Sequence, residues 1–143
     1  MIFVAIGYKQ HLVDGIVPRV FKKLERKFPL KVYYCNGQQI ESTIKKLKYH
    51  KGEEIIALDV GYTKDKTFMT SVKGGVRPAH AITGNNKRIG TIGYIINISN
   101  VCSKEELNLE NNRIRKRVKK IERKLYRKLY EVLSNLQEGA VLF

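Results

Sequence analysis

Two carboxylates carry most of the chemical information in this chain. Asp14 and Asp59 are two of only three aspartates in 143 residues, the third being Asp65. Asp14 follows the apolar run Ile2-Phe3-Val4-Ala5-Ile6 and a short loop, whereas Asp59 ends the continuous apolar run Ile55-Ile56-Ala57-Leu58. Ligands of open α/β sheets bind outside the carboxyl ends of the strands. If the two runs are parallel neighbours, both carboxylates face one crevice. There they can bind a divalent metal or share a proton, one acting as acid and the other as base in hydrolysis. His80 lies in a glycine-rich segment, residues 73–90, that could fold over the same edge. A histidine with two aspartates, here Asp14, Asp59 and His80, makes a zinc- or nickel-type ligand set. His11, three residues before Asp14, could reach the crevice as well; His50 has no such company. Each residue also has a plainer reading: Asp14 as the N-cap of the helix that follows it, Asp59 as a polar strand end, the histidines as exposed loop residues.

The elements that must position these groups follow from periodicity. Residues 2–6 read as a buried strand ending at Gly7. Ile16, Val17, Val20, Phe21, Leu24 and Phe28 recur at helical spacing, with Pro18 near the first turn and Pro29 as a stop. Residues 31–35 form a second strand, and 38–48 a short helix with Ile40, Ile44 and Leu47 on one face. The unbroken run 55–58 fits a central strand covered on both faces. Residues 67–72 and 91–98 read as further strands on either side of the glycine-rich segment. A long helix spans about 104–137, its stripe formed by Ile114, Val118, Ile121, Leu125, Leu129, Val132 and Leu136. This alternation predicts one α/β domain over residues 1–143, a three-layer α/β/α sandwich around a largely parallel sheet.

Composition narrows the setting. No apolar run approaches the roughly 20 residues of a membrane span. The first apolar run is too short for a signal-peptide core and lacks a basic flank, so a cytoplasmic protein is expected. Cys35 and Cys102 lack zinc-site spacing and read as small, reduced, buried hydrophobes. The formal net charge is +15. Much of it falls on one helix: Arg113, Arg115, Lys116, Arg117, Lys119, Lys120, Arg123, Lys124, Arg127 and Lys128 are interrupted by a single glutamate. These side chains could contact nucleic acid or an acidic protein partner without sequence preference, or simply form a solvated face. The segment Gly84-Asn85-Asn86-Lys87-Arg88 lacks the spacing of a nucleotide-binding loop. The long last helix could also carry a homodimer contact; nothing in the sequence decides it.

Several short motifs, in one order over nearly the whole chain, add a resemblance. Ile6-Gly7 followed by Asp14 and Pro18, the run Ile55–Asp59, Gly75-Val76-Arg77-Pro78-Ala79, the strand Ile89–Asn97 and Leu109-Glu110-Asn111-Asn112-Arg113-Ile114 are in register with one pattern. It resembles the sporulation protein YyaC group, in the superfamily of the germination (spore) protease and the hydrogenase maturation endopeptidases. The resemblance implies an α/β/α domain of phosphorylase/hydrolase type that cuts a peptide bond in a protein or peptide substrate. It implies Asp14 and Asp59 as the catalytic pair. By analogy with the maturation endopeptidases, it implies nickel binding by Asp14, Asp59 and His80.

Overall fold

The computed structural model describes residues 1–64, 66–78 and 87–137. Asp65 and His80 lie outside the described residues. In chain order the elements are β1 (Ile2–Ile6), α1 (Ile16–Leu24), β2 (Val32–Cys35), α2 (Ile40–Leu47), a single 3-10 turn (Lys48–His50), β3 (Ile55–Gly61), β4 (Met69–Lys73), β5 (Ile92–Asn97) and α3 (Asn112–Gln137).

The five strands form one sheet in the order β2-β1-β3-β5-β4. All pairings are parallel except that of the edge strand β4, which runs antiparallel to β5. The chain moves outward from β1 to β2, then back across β1 to β3. Crossovers between parallel strands are right-handed, so the reversal places α1 and α2 on opposite faces of the sheet.

Strand alternation fills both faces. Phe3, Ala5, Ile56 and Leu58 point to the side covered by α1 and α3, where they meet Val17, Phe21, Ile114, Val118 and Leu125. Ile2, Val4, Ile6, Ile55 and Ala57 point to the other side, where they meet Ile40 and Leu47 of α2 together with Val76 and Ile89. β1 and most of β3 are buried throughout, as expected for parallel strands sandwiched between helical layers. The result is the expected α/β/α sandwich. None of the described helices is long and apolar enough to cross a membrane.

Three boundaries differ from the periodicity. β3 continues through Val60 and Gly61, so Asp59 lies inside the strand rather than at its end. The last helix starts at Asn112, not near 104. Asn111 Oδ1 accepts the Ile114 N–H at 2.9 Å, the geometry of an N-cap, while Ser103–Leu109 are occupied by hydrogen-bonded turns. α1 itself ends at Leu24, although helical hydrogen bonds by Glu25 and Phe28 carry the chain on to Pro29.

The apolar stripe of α3 buries Ile114, Val118, Leu125, Leu129 and Leu133 against the core. Leu125 is fully buried in it, whereas Leu109, in the turn before the helix, is 49% exposed. Leu125→Ala should therefore cost about 2–5 kcal/mol through lost burial and a residual cavity. Leu109→Ala should stay within about 0.5 kcal/mol of the parent. Urea titrations of the two variants check this, and equal midpoints would contradict the assigned packing.

Candidate functional site

The strand order 2-1-3 makes the gap between the carboxyl ends of β1 and β3 a topological switch point, where doubly wound sheets hold ligands. The chain leaves β1 toward the α1 face, and the loop so formed carries Asp14. β1 and β3 are parallel neighbours, with Ala5 opposite Leu58. The side chain of Asp59, next along β3, therefore lies beside the start of this loop.

The loop is built on close approach of backbone to backbone. Gly7 has φ +138°, and a Cβ there would sit 2.0 Å from the Asp14 carbonyl oxygen, so only glycine lets the loop close over the end of β1. The Gly7 N–H donates to the Cys35 carbonyl at 2.9 Å, tying the loop to β2. Asp14 is half-buried and does not cap α1. The N-cap is Gly15, with no side-chain bond, and Asp14 reaches backward, its Oδ2 accepting the Tyr8 N–H at 2.7 Å. The capping expectation for Asp14 is thus replaced by a loop-closing role that holds its carboxyl group above the strand ends. Arg19, from the first turns of α1, secures the same loop. It donates to the carbonyls of Lys9 at 2.9 Å and His11 at 2.7 Å, and also to that of Leu12.

Asp59 is only 6% exposed. Its Oδ1 accepts the N–H of Val60 at 2.8 Å. Burial pushes its carboxyl well above the ordinary aspartate range, and the nearby charge of Asp14 pushes it further, against the smaller opposing effect of the Val60 hydrogen bond. The two aspartates thus lie within electrostatic reach of each other. Their environments differ: one carboxyl is desolvated and favours its proton, while the other sits in a partly exposed loop.

Sequence reasoning missed the surroundings of Asp59. Cys35, at the end of β2, is raised by burial and by the Asp59 charge, while a hydrogen bond from Thr43 of α2 opposes the rise. Thr43 and Asn97 are, with Asp59, the buried polar side chains among the described residues. Asn97 ends β5, and the register sets Ile95 opposite Asp59 and Asn97 opposite Gly61, so Asn97 lies on the same sheet face as Asp59. Its Oδ1 accepts the Ser99 N–H at 3.0 Å. A polar residue closing the apolar run Ile95-Ile96 was the available signal, parallel to Asp59 after Leu58. Cys35 and Cys102 are both free and buried, as expected.

The two described histidines do not join the pair. His11 is exposed, its ring 5.1 Å from that of Tyr8. His50 is engaged elsewhere, 2.7 Å from the Tyr33 hydroxyl and 2.7 Å from Glu53. No group of three or more His, Cys, Asp or Glu among the described residues could hold a metal ion. Asp14 and Asp59 alone are too few donors for a zinc- or nickel-type site, and Asp59 sits where its charged form is disfavoured. The described residues therefore do not fit such a metal.

The ten basic residues of α3 are all exposed, but the structure divides them. Arg113 pairs with Glu106, Arg115 lies 3.8 Å from Glu110, Arg117 donates to the Val101 carbonyl at 3.3 Å, and the Lys124 ammonium sits 4.4 Å above the Phe68 ring. Lys116, Lys119, Lys120, Arg123, Arg127 and Lys128 project from the rest of the helix.

With the fold and crevice described, comparison places the architecture among known α/β enzymes. The chain is similar to the peptidyl-tRNA hydrolase of Acinetobacter baumannii, with a TM-score of 0.62 at 12% identity over 96% of this chain and 90% of that one. It is also similar to the NiFe hydrogenase maturation protease HybD of Thermococcus kodakarensis, with a TM-score of 0.49 at 19% identity over 90% of this chain and 97% of that one. Likeness at such identities establishes the fold and not the chemistry. No family model matches the chain, and no curated protein matches its sequence.

The raised Asp59 carboxyl has a consequence for stability. Between the unfolded value of about 3.9 and its higher folded value, the folded state binds more protons than the unfolded state. Stability therefore falls as pH rises through that window. Asp59→Asn removes this dependence. The stability of the variant relative to the parent should grow from pH 4 upward and level off above the folded value. Denaturant titrations at a series of pH values check this; parallel curves for the two proteins would rule out a protonated, buried Asp59.

Proposed function

We propose that this chain is a peptidase-like hydrolase of the sporulation YyaC type, cutting a peptide bond in a protein substrate with its aspartate pair. The observation that supports the reading is a buried, proton-favouring Asp59 within electrostatic reach of Asp14, at the switch point of a doubly wound sheet. Pairs of titratable groups whose environments push their proton affinities apart divide into acid and base.

In this mechanism Asp14 takes a proton from a water as its oxygen forms a bond to the scissile carbonyl carbon. Asp59 gives its proton to the departing amine nitrogen as the C–N bond breaks. The proton gained by Asp14 then returns to Asp59 through solvent, which restores the pair. The Asp14 loop is suited to the base role because it opens to solvent. Asp59 is suited to the acid role because burial makes it hold a proton at pH values where an ordinary aspartate has lost one. The fold likeness to two named hydrolases is compatible with this reading and adds no residue to it.

Incubation with a mixture of unstructured peptides in ¹⁸O-labelled water tests the proposal. New carboxyl termini should carry the label. Asp14→Asn and Asp59→Asn should each lower its incorporation by about 100-fold or more, the usual scale of general acid–base assistance. The parent rate should fall at high pH as Asp59 loses its proton. Cleavage that persists in both variants would overturn the assignment.

A further inference from the structure

One sizeable cavity among the described residues lies away from the aspartate pair. It is an open groove of about 950 Å³ between the C-terminal half of α1 and the middle of α3. Lys23, Arg26 and Lys27 line one wall, and Lys119, Arg123 and Arg127 the other. Glu122 is the one acid among the lining residues, and it is already neutralised, its Oε1 lying 2.7 Å from Arg19 Nη2 and also accepting from Arg19 Nε. Six cations thus face one concave surface whose single lining acid is already paired.

We infer that this groove binds the phosphate backbone of a single-stranded nucleic acid. Charge complementarity requires a polyanion, and three features favour a nucleic acid strand over an acidic polypeptide. Lys119, Arg123 and Arg127 are spaced four residues apart on α3, so their backbone positions repeat about every 6 Å along the axis. That gives a regular row of cations suited to an anion repeated along a strand. Three of the six cations are arginines, whose planar forks match phosphate oxygens. The third feature is aromatic. Tyr126 lines the groove, its ring 5.8 Å from that of Tyr130, which is 42% exposed and stands edge-on to Phe28 at 5.1 Å. A cationic groove with one tyrosine in its lining and a second, exposed tyrosine beside it is suited to a single strand, backbone on the charges and bases stacked on the rings. The inference is independent of the aspartate pair, which lies at the carboxyl ends of the strands.

Fluorescence anisotropy with a labelled mixed-sequence single strand, made as RNA and as DNA, tests it. Reversal of three groove charges, Lys119→Glu with Arg123→Glu and Arg127→Glu, is compared with reversal of three exposed charges on the opposite layer, Lys45→Glu with Lys46→Glu and Lys48→Glu. The two variants change net charge equally. The groove variant should bind at least about tenfold more weakly, and its slope of log affinity against log salt should shrink by about 2, from about 0.7 per lost phosphate contact. The control should keep the parent slope. Tyr126→Leu, which keeps apolar bulk, should lose about tenfold through stacking with an unchanged slope. Circular dichroism melts verify that each variant is folded. Binding of either strand with this pattern supports the inference, and the tighter of the two assigns the sugar. Equal loss in both charge variants, no binding at low salt, or equal competition by polyglutamate of matched charge would overturn it.

Discussion

The arrangement of this protein turns on one guanidinium. Arg19 projects from the start of α1 into a loop that has no regular secondary structure and binds three of its carbonyls, those of Lys9, His11 and Leu12. Its remaining bonds go to Glu122 on α3. An irregular loop over a sheet edge carries backbone groups that must be satisfied. A planar fork with five donors is the side chain best able to satisfy several carbonyls at once. Gly15 exists for the same contact, because a Cβ at that position would come within 2.3 Å of the guanidinium and 2.5 Å of the Lys9 and His11 oxygens. The position of Asp14 is thus set by a residue five places further on, and through Glu122 by the packing of α1 against α3.

Much of the architecture was legible because it rests on local pattern. Continuous apolar runs at 2–6 and 55–58 can be buried on both faces only in the middle of a sheet, and these became the central neighbours β1 and β3. The order of elements then left few topologies, and right-handed crossovers put the carboxyl ends of those strands at the switch point. The placement of Asp14 just after β1 and of Asp59 on the neighbouring strand β3 was therefore traceable from spacing alone. What spacing could not reveal was their difference in environment. Asp14 stands where a cap belongs, yet the close fit of Gly7 against the Asp14 backbone turns its side chain back to Tyr8. Asp59 reads as a strand end, yet β3 extends two residues beyond it, and its neighbours Cys35, Thr43 and Asn97 come from three different elements. Such clusters depend on sheet register and helix docking, which leave no periodic trace.

The charge of the chain shows the same division between pattern and packing. As a sequence, residues 113–128 are one basic stretch. In the fold, some of those charges are spent on the turns before α3 and on the Phe68 ring, and only Lys119, Arg123 and Arg127 reach the groove. The three cations opposite them lie nearly a hundred residues earlier, in the short basic cluster Lys22-Lys23-Leu24-Glu25-Arg26-Lys27 on and just after α1. Charge density along a helix counts potential contacts; the docking of a second helix decides which of them converge on one ligand.

Arg19 links the two regions in a single interaction. The bond that holds the Asp14 loop in place also ends on Glu122, the acid lining the groove, and removes its charge from that surface. A neutral residue at position 19 would loosen the aspartate loop and at the same time return the Glu122 charge to the groove, where it would offset part of the field of the six cations. Conversely, a hydrophobic residue at 122 would leave the guanidinium held by the loop carbonyls alone, at the expense of its anchoring on α3. The Asp14 loop and the groove lie on different parts of the surface, and Arg19 touches the backbone of the one and the single lining acid of the other.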